Sequence, residues 1–180
     1  MAHAEGGETI AVGARSHAEG SNTKALGRWS HAEGRTGVTK GDAAHVEGYC
    51  ESYTATLKPI ENETVKYLVT KTSPSSGVTA LHAGQVIRYN KVYYDIVSYD
   101  TTTKSVELSL PLDGIADSFT VTVFPHVARG NYSHAEGYDT LSAGNHSHTE
   151  GWRTKALDNQ GHAEGYMSIA AGNTSHAEGN

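Results

Sequence analysis

Histidine returns at a fixed step of 14 residues, at His3, His17, His31 and His45, and again at His134, His148, His162 and His176. Each sits two residues before a glutamate and three before a glycine, in SHAEG or in the variants AHVEG, SHTEG and GHAEG. The grain is finer than 14. Glycine occupies positions 6, 13, 20, 27, 34, 41 and 48, then 130, 137, 144, 151, 165, 172 and 179, with Asp158 in the one slot that lacks it. The unit is therefore a heptad of small, variable, small, variable, glycine and two turn residues, as in SHAEGSN, TKALGRW, SHAEGRT, SHTEGWR and SIAAGNT. Alternation of small and variable side chains over five residues has period two, which is the signature of a strand.

A coiled coil also repeats every seven residues, but its seam needs large apolar side chains at two of the seven positions. Here the fixed positions are Ser or Thr, Ala and Gly. Glycine once per heptad would cost a helix about 1 kcal/mol each time relative to alanine. Strands joined by tight turns put the same glycines where permissive φ is useful. Two short strands and two turns per 14 residues describe a narrow parallel β-solenoid that advances by about 4.8 Å per coil.

Ser16, Ala18, Thr23, Ala25, Ser30 and Ala32 then share one face, and that face is the interior, where the two sheets approach too closely for large side chains. The variable positions point outward. One sheet presents His and Glu in all eight coils. The other drifts, through Ile10 and Val12, Lys24 and Leu26, Val38 and Lys40, Leu141 and Ala143, Lys155 and Leu157, and Ile169 and Ala171. A solvent face should drift, so the His/Glu face is expected to be in contact with something. An Ala/Ser interior buries little apolar area, at roughly 25 cal/mol per Å2, against the entropy of ordering the chain. Association with further copies is expected, with imidazoles paired to glutamates of another chain or an adjacent coil. Such pairing predicts raised imidazole pKa values.

The composition divides the chain. All four prolines (Pro59, Pro74, Pro111, Pro125) lie within residues 49 to 129, and 17 of the 20 glycines lie outside that stretch. The step from His45 to His134 is 89 residues, which is not a multiple of 14. This points to solenoid repeats at 1–48 and 130–180 with a domain inserted at 49–129. The insertion carries strand-like segments at 64–72, 84–100, 104–110 and 118–124, separated by the turn signals SPSSG, YNK, DTTTK and PLDG. About six short strands predict a small antiparallel barrel or sandwich that projects sideways from the solenoid.

Net charge is −6 and no basic cluster stands out, so a nucleic-acid partner has no electrostatic support. No apolar run suggests a signal peptide or membrane insertion. A single cysteine, Cys50, excludes an internal disulfide framework. The repeat is already running at His3 and still running at Asn180, which favours a segment of something longer.

Heptads of the form [ST]xAxG, doubled to 14 residues, resemble the YadA-like head repeats of trimeric autotransporter adhesins. SHAEG arrays are also similar to segments of tail-fibre and tail-associated proteins of phages and prophages of Gram-positive bacteria. The resemblance covers about 99 of the 180 residues and leaves out 49–129. It implies an all-β, left-handed parallel β-roll, homotrimeric about a threefold axis, and an extracellular place on a virion tail or bacterial surface. SHAEG stands where those heads carry an apolar SVAIG-type strand. The implied role is host-surface attachment through a cell-surface glycan or protein, with a bacterial adhesin head as the alternative.

On this reading the interface ladder is His3, Glu5, His17, Glu19, His31, Glu33, His45, Glu47, His134, Glu136, His148, Glu150, His162, Glu164, His176 and Glu178. HxE on one strand also places two metal ligands on one face, so a metal-binding rod is a rival reading. Repeats fix residues for packing more often than for chemistry, and neither metal nor cofactor is expected. A zinc-deaminase motif would need PCxxC, which is absent. A catalytic triad needs one special Ser or Cys beside one special His, and eight equivalent histidines on a rod do not meet that requirement; no enzyme activity is expected. Tyr89, Tyr93, Tyr94 and Tyr99 are candidates for stacking on a glycan, although alternation could also place Tyr93 and Tyr99 in a core.

Overall fold

The structure, a computed structural model, describes residues 1–73, 81–112, 115 and 117–179. Among these the fold is all-β, without helix, and it divides into two compact units: Met1–Glu51 with Pro125–Asn180, and Ser52–Phe124.

The first unit is a β-solenoid of 14-residue coils. Its first sheet stacks eight parallel strands, His3–Gly7, His17–Ser21, His31–Ala32, His45–Gly48, His134–Gly137, His148–Trp152, His162–Tyr166 and His176–Ala177. Its second sheet stacks seven two-residue strands: Ile10–Ala11, Lys24–Ala25, Val38–Thr39, Val127–Ala128, Leu141–Ser142, Lys155–Ala156 and Ile169–Ala170. Register is strict, so each residue lies over its equivalent in the next coil, as in His17 over His31 and Ala18 over Ala32.

The interior is the predicted one. Ser16, Ala18, Thr23, Ala25, Ser30 and Ala32 are all buried. Buried hydroxyls need partners, and the serine before each histidine finds one at the preceding turn. Ser16 and Ser30 donate to the carbonyls of Gly13 and Gly27 at 2.7 Å, and Ser147 donates to Gly144 at 2.6 Å. Between the sheets, the Thr39 and Ser30 hydroxyls meet at 2.9 Å. The glycine ending an HxEG strand is required twice over wherever another coil follows. Gly20 has φ of +99°, and a Cβ there would lie 2.1 Å from the Gly34 carbonyl oxygen of the next coil.

Val127–Ala128 lies within the segment that the composition assigned to the insertion, yet it pairs with Val38–Thr39 on one side and Leu141–Ser142 on the other. The fourth coil is therefore complete. What concealed it is His126, which fills the slot held by Thr23 and Thr140 in other coils. Val46 likewise replaces the usual alanine. Val46 fits because residue 37 is glycine: a Cβ there would stand 2.8 Å from Val46 Cγ1, whereas His126 Cδ2, at 3.6 Å, would be in ordinary contact. His126 is fully buried, with Nε2 donating to the Glu47 carbonyl at 2.9 Å and Nδ1 2.9 Å from the Thr140 hydroxyl. Burial holds its pKa down at about 4.

The second sheet's variable positions are not uniformly open, contrary to the expectation of a drifting solvent face. Lys24, Val38, Val127 and Leu141 are fully buried, whereas Ile169 is 53% exposed. A lysine can be buried here because its ammonium donates to the Glu8 carbonyl and, at 2.8 Å, to Asn22 Oδ1.

The second unit is a closed six-stranded antiparallel barrel, which settles the choice between barrel and sandwich. The strands are Tyr53–Pro59, Lys66–Ser73, Val86–Tyr89, Val92–Asp100, Ser105–Leu108 and Phe119–Phe124. Closure removes free edges. The YNK turn signal marks a tight hairpin, with Asn90 and Lys91 at φ of 47° and 69°. In DTTTK, Asp100 Oδ1 accepts the Thr102 and Thr103 amides at 2.8 and 3.2 Å. SPSSG and the end of PLDG lie outside the described residues. The barrel core gathers Tyr53, Leu57, Tyr67, Ile87, Ile96, Val106, Leu108, Val121 and Val123. Within it the Tyr67 hydroxyl accepts the Leu112 amide at 2.8 Å and donates to the Thr64 carbonyl at 3.1 Å.

Candidate functional site

In HAEG the alanine points inward, which forces His and Glu onto the same outer face. Parallel in-register stacking then lays each imidazole on the next. From His17 to His176 the ring centroids are 4.7 to 4.9 Å apart, with planes within 13° of parallel. His3 joins the column at 4.9 Å with a tilt of 33°. The step from His45 to His134 is like any other, so the column crosses the insertion point without a break.

The glutamates flank the imidazoles mostly beyond hydrogen-bond reach, and the His45–Glu33 pair closes a long hydrogen bond. Nε2 lies 3.9 Å from the same strand's carboxylate in His17–Glu19, 3.8 Å in His134–Glu136, 4.0 Å in His148–Glu150 and 3.7 Å in His162–Glu164. Across coils, His31 is 3.9 Å from Glu19, and His45 reaches Glu33 at 3.3 Å. Hydrogen bonds to carboxylate are normally 2.7 to 2.9 Å. The Nε2 atoms of His17, His31, His134, His148 and His162 are occluded and have no hydrogen-bond partner among the described residues. An occluded, unsatisfied polar atom costs about 1 to 3 kcal/mol.

At His134 and His148 the direction is opposite to the raised imidazole pKa expected from His/Glu pairing. His134 and His148 are shifted down, first by burial and then by the neighbouring imidazoles, against the upward pull of the glutamates. A carboxylate near 4 Å does not offset partial desolvation plus a stack of potential cations. Both rings are held neutral, the form that ligates metal.

Three sets bring two imidazoles and a carboxylate together, His3/Glu5/His17, His31/Glu33/His45 and His134/Glu136/His148, and a fourth is Glu164/His176/Glu178. In each set the donor atoms lie within 4.8 Å of one another. Beside them runs an open groove lined by Glu33, Gly34, Glu47, Gly48, Glu136 and Gly137.

A second column escaped the sequence reading. The residue after each HxEG glycine becomes aromatic at Tyr49, Tyr138, Trp152 and Tyr166, and these rings stack at 5.9, 5.8 and 4.6 Å. Arg35 lies over Tyr49 at 5.2 Å and Arg153 over Trp152 at 4.2 Å. The signal was present in the sixth heptad position, which was read only as a turn residue. Next to this column, burial pushes the Cys50 thiol up to about 12 and the Asp139 carboxyl up to about 6 despite Arg153 at 3.4 Å.

The tyrosines proposed for glycan stacking are not gathered on one exposed surface. Alternation along Val92–Asp100 puts Tyr94 in the barrel core, and Tyr89 and Tyr99 pack against that core. Tyr93 takes the opposite face of the strand and lies 6.0 Å from Phe124, its phenol raised by burial.

Comparison with family models, with curated proteins and with solved structures returned no match to this chain.

Proposed function

We propose that this chain is a structural and binding segment of a homotrimeric extracellular fibre, of the phage tail-fibre or tail-associated kind, that mediates attachment to a host surface. A bacterial surface adhesin head is the alternative setting for the same architecture. The role is mechanical and adhesive, not enzymatic.

One observation supports the reading above others. The solenoid is lined mainly by Ala, Ser and Thr, while several large apolar side chains stand outside: Trp29, Tyr49, Tyr132, Tyr166 and Ile169 are all exposed. A rod with its bulk on the outer surface gains stability by lying against other rods. Parallel coils on a common axis also suit threefold side-by-side packing, in which every coil meets its equivalents. The inserted barrel supplies a compact module of the kind on which recognition surfaces are built.

Native mass spectrometry of the full chain tests the assembly, with three times 19.1 kDa expected. A stable single-chain particle at micromolar concentration would overturn it. A glycan array probed with the full chain tests attachment, and binding to a defined surface saccharide is expected. Uniform silence there, together with no adsorption to host cells, reduces the role to that of a spacer.

A further inference from the structure

We propose that the His/Glu face of the solenoid is a linear array of transition-metal sites, each built from two imidazoles and one carboxylate of adjacent coils. The sites are His3/Glu5/His17, His31/Glu33/His45 and His134/Glu136/His148. This inference does not rest on what the fibre attaches to.

The distances are those of co-ligands. Two donors bound at about 2.1 Å to one ion stand roughly 3.0 Å apart at an octahedral angle and roughly 3.4 Å apart at a tetrahedral one. Within the sets, Nε2 stands 3.3 Å from the carboxylate at His45 and Glu33 and 3.8 Å at His134 and Glu136. The first is a long hydrogen bond and the second is beyond hydrogen-bond reach, and both are within a small side-chain adjustment of sharing an ion. Glu33 and Glu136, 30% and 40% exposed, have room to make that adjustment.

The unpartnered nitrogens are the independent observation. His17, His31, His134 and His148 each present an occluded Nε2 with no hydrogen-bond partner, and all four belong to the three sites. The chain fixes these lone pairs by stacking the rings, which leaves the imidazoles no rotation by which to seek water.

Donor chemistry selects the ion. Two nitrogens and one carboxylate suit Zn2+, Co2+, Ni2+ or Cu2+, whereas Mg2+ and Ca2+ prefer all-oxygen sets. Spacing selects the stoichiometry. Ions in every coil would stand about 4.8 Å apart and share ligands, while ions in alternate coils stand about 10 Å apart and share none. The three sets use coils one and two, three and four, and five and six without overlap. Three donors leave each ion positions for water or for a donor from a neighbouring copy.

The test uses tag-free full chain, stripped with EDTA, desalted, and titrated with Zn2+ and separately with Co2+. Elemental analysis after gel filtration should find about three Zn2+ per chain, with the terminal Glu164/His176/Glu178 set adding a weaker fourth. Co2+ should develop visible d–d absorption, and a tenfold excess of Mg2+ or Ca2+ should not displace it. Glu33→Gln keeps the side chain's size and should lose about one ion per chain while its circular dichroism stays unchanged; His31→Ala with His45→Ala should lose the same ion. Fewer than one Zn2+ per chain, unchanged stoichiometry in the folded Glu33→Gln protein, or displacement by Ca2+ would each overturn the assignment.

Discussion

His45 and His134 stack with ring centroids 4.7 Å apart and planes 13° from parallel, although 89 residues of chain separate them. Their strands pair in the same register as strands joined by a single coil. In ordinary coils two residues, such as Ser21 and Asn22, link the HxEG glycine to the Thr slot. In the fourth coil Tyr49 and Cys50 correspond to them and His126 holds the Thr slot, so Glu51–Pro125 is the surplus. Removing these 75 residues leaves 89 − 75 = 14, the native step.

Excision of 51–125 is therefore expected to give a folded, uninterrupted solenoid. Circular dichroism should show β structure, and a hydrogen-exchange map should protect the His45 and His134 strands alike. Loss of protection on both would show that the barrel is needed to hold the two halves in register.

Gly20 and Gly7 should respond oppositely to alanine. At Gly20 the backbone is left-handed, and a Cβ would press on the Gly34 carbonyl; at Gly7 nothing lies within 4 Å. Gly20→Ala should cost about 3 kcal/mol or more, from backbone strain plus displacement of the coil below. Gly7→Ala should shift stability by less than about 0.5 kcal/mol. Chemical denaturation of the two variants measures both, and equal costs would mean the coils are less tightly stacked than described.

The solenoid was legible because its rule is local and repeated. One inward slot, read fifteen times, says what fits between the sheets. The departures were not legible, because each is a correlation across coils. His126 in a Thr slot reads as the end of an insertion until Val127–Ala128 is seen to pair with Val38–Thr39 and Leu141–Ser142. Tyr49, Tyr138, Trp152 and Tyr166 form a column only once register is known, and Tyr94 enters the barrel core through its strand phase. The imidazole shifts were misjudged in sign because spacing shows a carboxylate two residues away, not that Nε2 stands near 4 Å from it in a stack of other imidazoles.

Gly37, Val46 and His126 should behave as one packing unit. Gly37→Thr restores the repeat's own residue, yet its Cβ would fall 2.8 Å from Val46 Cγ1. Overpacking should cost about 1 to 3 kcal/mol. Combining it with Val46→Ala and His126→Thr should recover most of that loss, with a coupling energy well above the roughly 0.5 kcal/mol typical of independent sites. Additive effects in the thermodynamic cycle would refute the idea that the three residues share one space.

Stability should fall on acidification through the histidine range, and His126 should dominate. Its folded pKa is about 4 against an ordinary 6.5. The unfolded chain therefore binds the proton first, so stability is complete above about 6.5 and declines as pH drops toward 4. The full swing is on the order of 3 kcal/mol. His134 and His148 are depressed as well and act in the same direction. The buried ring has no compensating carboxylate: Nε2 faces the Glu47 carbonyl and Nδ1 the Thr140 hydroxyl, so protonation would set a second N–H against a group already donating. Melting curves between pH 4 and 8 should show this decline, and His126→Thr in the Gly37→Thr, Val46→Ala background should flatten most of it. A melting temperature that rises on acidification would mean that the imidazoles are stabilised as cations, reversing this sign.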